Sequence, residues 1–273
     1  MSPDKLTQQC VCRNCGNLFQ GEATTRNWGG QTREWWPTEC PACEEEESQR
    51  RQEYLVQARR EERERWRQES GIPPGLCNRT FANFEAGWQD KALRTCRKYA
   101  EKFKLEEADR SRSLILYSPS PGVGKTHLMI AIANAVIEAW AGEPGTLEKP
   151  VGFESGPGLV RRIRATYSYG RKNSAEETEM EIYAELRGLR LLLLDDVGKE
   201  KPSDFTRELY WYLINKRVSS GLPVVMTCRL PLEGKDSLVE LMGVDTVDRL
   251  YGMTRGHIEV LEGPSYRRSK RIA

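Results

Sequence analysis

The run Leu114-Ile115-Leu116-Tyr117 breaks into Ser118-Pro119-Ser120-Pro121-Gly122-Val123-Gly124-Lys125-Thr126 and is followed by the helical pattern Leu128–Trp140. An apolar strand, a Gly/Pro turn ending in Gly-Lys-Thr and a helix form the layout of a phosphate-binding loop, so the chain is expected to bind a nucleoside triphosphate. Backbone N–H groups of Gly122, Val123, Gly124 and Lys125 converge on one concavity only where small residues let the chain turn tightly. The dipole of the following helix favours an anion at that point. The cofactor-binding set is therefore Pro121, Gly122, Val123, Gly124, Lys125, Thr126 and His127. Lys125 is to reach the β- and γ-phosphates and the Thr126 hydroxyl is to ligate magnesium. The usual motif has glycine six residues before the lysine, whereas here that position is Pro119, which fixes φ and removes a donor.

Beyond the loop, helical and strand patterns alternate. Helices are expected at Lys91–Phe103, Thr126–Trp140, Gly158–Tyr169, Glu176–Arg187, Phe205–Ser219 and Val247–Tyr251. Strands are expected at Leu114–Tyr117, Val151–Glu154, Leu189–Asp196, Pro223–Cys228 and His257–Leu261. This alternation predicts an α/β fold, a parallel sheet covered by helices. Leu189–Asp196 is wholly apolar until it ends in two carboxylates, at the strand end where ligands of open α/β sheets bind. Asp195 can hold magnesium, directly or through water, while Asp196 polarises the attacking water.

The first 43 residues hold five of the eight cysteines and three of the seven tryptophans. Cys12-x2-Cys15 and Cys40-x2-Cys43 form two knuckles of the kind that supply four thiolates to a tetrahedral zinc, whose binding energy replaces the core so small a module lacks. Cys10 is an alternative to Cys12, and Trp28, Trp35 and Trp36 are either a small core or an exposed contact surface. Cys77, Cys96 and Cys228 read as buried thiols, and neither His127 nor His257 has metal-ligand company. Residues 44–70 are Glu/Arg/Gln-rich and fit a solvated linker helix; Gly71-Ile72-Pro73-Pro74-Gly75 then marks the boundary of a domain spanning 71–273. Net charge is only +2 despite 30% charged residues, so attraction to nucleic acid must come from local patches. No apolar run is long enough for a membrane span or a signal core, so a soluble, cytoplasmic protein is expected.

The chain resembles the helicase-loader branch of the AAA+ ATPases, to which DnaC, DnaI and the transposition helper IstB belong. The resemblance runs from Ile72 to Arg268 through Phe81-Ala82-Asn83-Phe84, the phosphate loop with Thr126-His127-Leu128, and Leu193-Leu194-Asp195-Asp196-Val197-Gly198. It continues through Leu213-Ile214-Asn215-Lys216-Arg217, Gly221-Leu222-Pro223-Val224-Val225-Met226-Thr227, Asp248-Arg249-Leu250 and Gly263-Pro264-Ser265-Tyr266-Arg267. It implies an AAA+ core that binds ATP at a subunit interface. Arg249 then matches the arginine finger offered to a neighbour's nucleotide, and Arg267 the arginine that senses the γ-phosphate. One departure stands out: where the family has Thr-Ser-Asn, this chain has Thr227-Cys228-Arg229. Arginine donates hydrogen bonds but cannot mimic the amide that helps hold the attacking water, so Thr227 is the alternative hydroxyl and hydrolysis is expected to be slow.

The segment Leu159–Lys172 carries Arg161, Arg162, Arg164, Arg171 and Lys172 with Tyr167 and Tyr169 interleaved, cations for phosphates and rings for stacking. In the resembled family this region contacts single-stranded DNA. The expected protein is thus an ATP-dependent loader of a replicative hexameric helicase of the DnaB type, forming a homo-oligomer on ATP and DNA. The alternatives are an IstB-like transposition regulator assembling on duplex DNA and a nucleotide-binding scaffold without turnover.

Overall fold

The computed structural model describes residues 6–28, 31–85, 87–168 and 177–269. They gather into two compact units, residues 1–60 and 61–273.

The first unit contains two antiparallel hairpins, β1 (Thr7–Val11) with β2 (Leu18–Glu22) and β3 (Thr24–Trp28) with β4 (Gln31–Trp35). Their side chains are mostly exposed, Trp35 among them, so apolar burial supplies little stability here. Helix α1 (Pro41–Glu69) begins inside the second cysteine knuckle, with proline at its first position, where a missing N–H leaves no bond unmade.

The last turns of α1 fall in the second unit and are not solvated as the charge pattern predicts. Trp66 is fully buried, packs edge-on against Trp140 with ring centroids 4.6 Å apart, and donates its indole N–H to the Glu148 carbonyl at 2.9 Å. Arg63 donates to the Trp140 carbonyl at 3.2 Å. Trp66 is the one buried residue of α1, a signal that averaging over so many charges conceals.

Strands β5 (Leu114–Tyr117), β6 (Val151–Ser155), β7 (Leu191–Val197), β8 (Val224–Cys228) and β9 (Ile258–Val260) form a parallel sheet in the order β6-β7-β8-β5-β9. Successive side chains of a strand point to opposite faces, and this divides the core in two. Leu114, Leu116, Leu191 and Leu193 pack with helices α2 (Asp90–Lys102) and α3 (Lys125–Ala139). Ile115, Leu192 and Leu194 pack on the other side with α4 (Gly156–Ser168), α5 (Glu179–Gly188), α6 (Asp204–Ser219), α7 (Leu238–Met242) and α8 (Val244–Thr254). The short helix α9 (Tyr266–Ser269) follows β9.

Element limits shift where caps decide them. Helix α5 starts after the expected Glu176 because Thr178 and Glu181 form a reciprocal capping box, and Ser203 with Thr206 does the same for α6. Helix α8 starts earlier than Val247 because the break from α7 falls at Gly243, whose φ is 86°.

Candidate functional site

The phosphate loop connects β5 to α3 at the carboxyl edge of the sheet. Left-handed backbone occurs at Gly122 (φ 76°) and Gly124 (φ 101°), and a Cβ at either would collide, with Ser265 Oγ at 2.2 Å or the Phe84 ring at 2.6 Å. Both glycines are therefore required twice over, by conformation and by space. Pro119 lies upstream of these two positions, so its fixed φ does not disturb the left-handed turns. Lys125 is buried and its Nζ donates to the loop's own carbonyls, Ser118 O at 3.1 Å and Ser120 O at 3.0 Å; burial pulls its pKa down.

Thr126 Oγ1 donates to Asp195 Oδ1 at 2.8 Å, bringing together the two residues assigned to magnesium. Asp195 is buried, and burial raises its pKa against the opposing hydroxyl donors Thr227 and Thr126. A hydroxyl and a buried carboxylate with no ion-pair partner among the described residues form a donor set that fits a hard divalent cation. Asp196 has a left-handed φ of 55°, and its Oδ2 lies 2.5 Å from Lys199 Nζ, a partner that sequence reading missed. Arg229 is exposed, and its charge bears on Lys125. The Thr227 hydroxyl, the expected alternative for holding the water, is instead engaged by Asp195 and the Asp196 N–H.

Two chain segments close on the loop from outside. His127 Nε2 lies 2.9 Å from Thr80 O and 3.0 Å from Asn83 Oδ1, with the Phe84 ring edge-on at 5.0 Å, and burial lowers its pKa. Asn134 Nδ2 fixes the same lead-in by donating to Cys77 O and Arg79 O, each at 2.8 Å. From the other end, Tyr266 N donates to Gly122 O at 3.0 Å, which holds the start of α9 against the loop, with Arg267 next in the chain and exposed. Arg249 is elsewhere: its Nη1 donates to Asn215 Oδ1 at 2.8 Å. It lines a cavity of about 410 Å³ with Ser111, Ser113 and Gly221, at the amino edge of the sheet.

In the first unit, the sulfurs of Cys12, Cys15, Cys40 and Cys43 all lie within 4.8 Å of one another. The Cys15 and Cys40 sulfurs are 3.7 Å apart, against about 3.8 Å across a tetrahedron with Zn–S bonds of about 2.3 Å. Cys12 belongs to this cluster and Cys10 does not. Backbone N–H groups of Cys15 and Cys40 pull the Cys12 thiol down to about 6, while contact with Cys40 and the other thiols pushes Cys43 up. Four thiolates so crowded need a shared cation, so the residues fit zinc. Elsewhere, Cys96 and Cys228 are buried as expected, but Cys77 is exposed because its segment lies over α3 as a surface strap.

The basic helix α4 divides its cations. Arg161 and Arg164 line a groove of about 460 Å³ with Lys201 and Pro157, and the Arg164 guanidinium lies 4.9 Å from the Phe205 ring centroid. Arg162 departs from the expectation: it is turned into an ion network with Glu154, Glu177 and Glu185. Tyr167 donates its hydroxyl to Glu179. Tyr169, Arg171 and Lys172 lie outside the described residues.

The strand order, the phosphate loop and the acid pair on a non-adjacent strand define a P-loop ATP-binding protein of the AAA+ class. Residues 44–273 match the model of the IstB-like ATP binding protein family, and the chain belongs to that family. It is 28% identical over 183 residues to the replicative helicase loader DnaC of Buchnera aphidicola subsp. Acyrthosiphon pisum (strain APS), a match covering 66% of each chain. It is 26% identical to DnaC of Escherichia coli (strain K12), again over 66% of each. The matched region thus spans about two thirds of these relatives' length. Among solved structures, the DnaC helicase loader superposes with a TM-score of 0.54 at 24% identity, covering 70% of this chain and 100% of that one. AMPPCP-bound DnaA from Aquifex aeolicus gives 0.53 at 20% identity over 74% and 54%. No described helix is long and apolar enough to cross a membrane.

Proposed function

We propose that this protein is an ATP-dependent loader that places a replicative DnaB-type helicase on single-stranded DNA during DNA replication. The observation that carries the reading is the division of the site. The phosphate loop with Thr126 and Asp195 occupies the carboxyl edge of the sheet, while Arg249 occupies the amino edge, out of reach of its own loop. ATP would then be completed by Arg249 of a second copy, and nucleotide acts as an assembly switch.

Within that site, Thr126 and Asp195 would hold magnesium, which would supply a Lewis acid there. Lys125 exchanges its two carbonyl partners for β- and γ-phosphate oxygens. Asp196, released from Lys199, polarises the attacking water, and Arg267 reads the γ-phosphate. With Pro119 and Arg229 in the loop and at the strand end, hydrolysis is slow and serves release. Arg161 and Arg164, whose groove stays open, are the candidates for the DNA backbone, with Tyr167 as a stacking ring. Residues 1–43 form a zinc-binding module that grips the helicase, the helix that follows connects it onward, and the ATPase domain takes in the last turns of that helix from residue 61 together with 71–273. The relatives that carry a helicase-loader name support this assignment.

The family description favours a second reading, an IstB-like transposition regulator that assembles on duplex DNA. Mixing the full chain with ATP and the hexameric helicase of its host separates the two. Co-elution with the helicase and helicase delivery to a single strand support the loader. Coating of duplex DNA without helicase association rejects it.

A further inference from the structure

We propose that Thr227 is the positioning residue that sets both active-site carboxylates, through a β-bulge that its hydroxyl completes. The parallel pairing of β7 with β8 runs Leu194↔Met226 and then Val197↔Cys228, so Asp195 and Asp196 together stand opposite Thr227. Two residues against one is a bulge, and a bulge leaves an N–H without its ladder partner. Here that N–H belongs to Asp196, and it donates to Thr227 Oγ1 at 2.9 Å.

The same hydroxyl donates its proton to Asp195 Oδ1 at 2.6 Å, beside the bond from Thr126 at 2.8 Å. One fully buried oxygen therefore fixes the backbone of one acid and the carboxylate of the other. Regular strand alternation would send the two side chains to opposite faces of the sheet. The bulge breaks the alternation, and Asp196 takes the left-handed φ of 55° that a non-glycine residue rarely adopts. Position 227 thus holds the acids in place rather than the attacking water.

The inference rests on the reading of this site as a magnesium-dependent ATPase. Its test compares Thr227→Val, which keeps the shape and loses the hydroxyl, with Thr227→Ser, which keeps the hydroxyl and loses the methyl. Turnover, the magnesium concentration for half-maximal nucleotide binding, nucleotide affinity in EDTA and thermal melting are measured on the full chain. Thr227→Val is expected to lower kcat and raise the magnesium half-saturation, each by roughly 10–100-fold, the usual effect of removing a hydrogen bond that orients a metal-ligating carboxylate. Affinity in EDTA is expected to stay unchanged and Thr227→Ser to behave as wild type. Wild-type turnover and magnesium dependence in Thr227→Val overturn the proposal, as does a Thr227→Ser variant impaired as badly as Thr227→Val. Absence of turnover in the wild type would reject the hydrolysis reading alone, since the magnesium dependence of nucleotide binding still decides the role of Thr227.

Discussion

Arg217 is a fully buried cation on α6 with no carboxylate partner among the described residues. Its guanidinium donates to Leu186 O at 2.7 Å, Leu189 O at 3.0 Å and Pro223 O at 2.7 Å. Leu186 and Leu189 end α5 and lead into β7, and Pro223 leads into β8, so one side chain ties the starts of the two strands whose far ends carry Asp195, Asp196 and Thr227. Arg217→Met keeps the apolar stem and relieves the desolvation of the charge, a gain of several kcal/mol when a buried ion is replaced. It also removes three charge-assisted bonds of about 1.5–3 kcal/mol each and leaves the Leu186 and Leu189 carbonyls without the guanidinium, while Pro223 O keeps a bond from the Leu192 N–H at 3.4 Å. The losses outweigh the gain because the carbonyls remain buried whatever replaces the arginine. The expected net effect is a destabilisation of about 2–5 kcal/mol. For a unit of this size that is a fall in Tm of roughly 5–15 °C, read by circular dichroism melting. Arg217→Lys, with a single nitrogen that cannot span three carbonyls, should recover part of it. An Arg217→Met chain that melts at or above the wild-type temperature would refute the reasoning, showing that the charge is a net liability and that the carbonyls find other donors.

Metal analysis of the purified chain should find a single zinc ion, lost in Cys43→Ser and kept in Cys10→Ser; chelation should melt the 1–60 unit while nucleotide still binds the second unit. Asp196→Asn should lower turnover by about 10²–10⁴-fold while ATP affinity holds, and unchanged turnover removes its role as base. Because burial depresses the His127 pKa, the unfolded chain takes up a proton more readily, so stability is full above about pH 6.5 and falls as pH drops below it. Melting temperatures between about pH 7 and 5 should show this slope, flattened in His127→Gln. Chains carrying Lys125→Ala and chains carrying Arg249→Ala should each lack turnover and regain part of it on mixing; no recovery would remove the shared site.

What was legible in the sequence was local. The phosphate loop, the alternation of strands and helices and the acid pair are each written in a few consecutive residues, and the two CxxC turns fix their own spacing. What escaped depends on register and on contacts distant in sequence. The bulge at Asp196 exists only because β7 and β8 pair with a shift. The Lys199 partner of Asp196 needs the turn that follows the bulge. Trp66 is one apolar residue in a run of charges, and its burial depends on Trp140, far along the chain. Arg162 read as a DNA cation because its three carboxylate partners lie on β6, on α5 and in the segment before it. Cys10 and Cys12 could be separated only by the hairpin that turns one sulfur toward the cluster.

The placement of Arg249 links these details to regulation. Strand β5 is four residues long, roughly 13 Å at about 3.3 Å per residue, and it separates the amino edge, with Arg249, from the carboxyl edge, with Lys125. No arginine side chain on α8 can cross that span to its own loop. A role for Arg249 at ATP therefore requires a second copy, and the nucleotide then contributes to the interface as much as the interface contributes to the nucleotide. If nucleotide is an assembly switch, its bound state must outlast assembly, and departures at Pro119 and Arg229 that slow turnover while leaving Gly122, Gly124, Lys125 and Thr126 intact would lengthen the assembled state rather than abolish it.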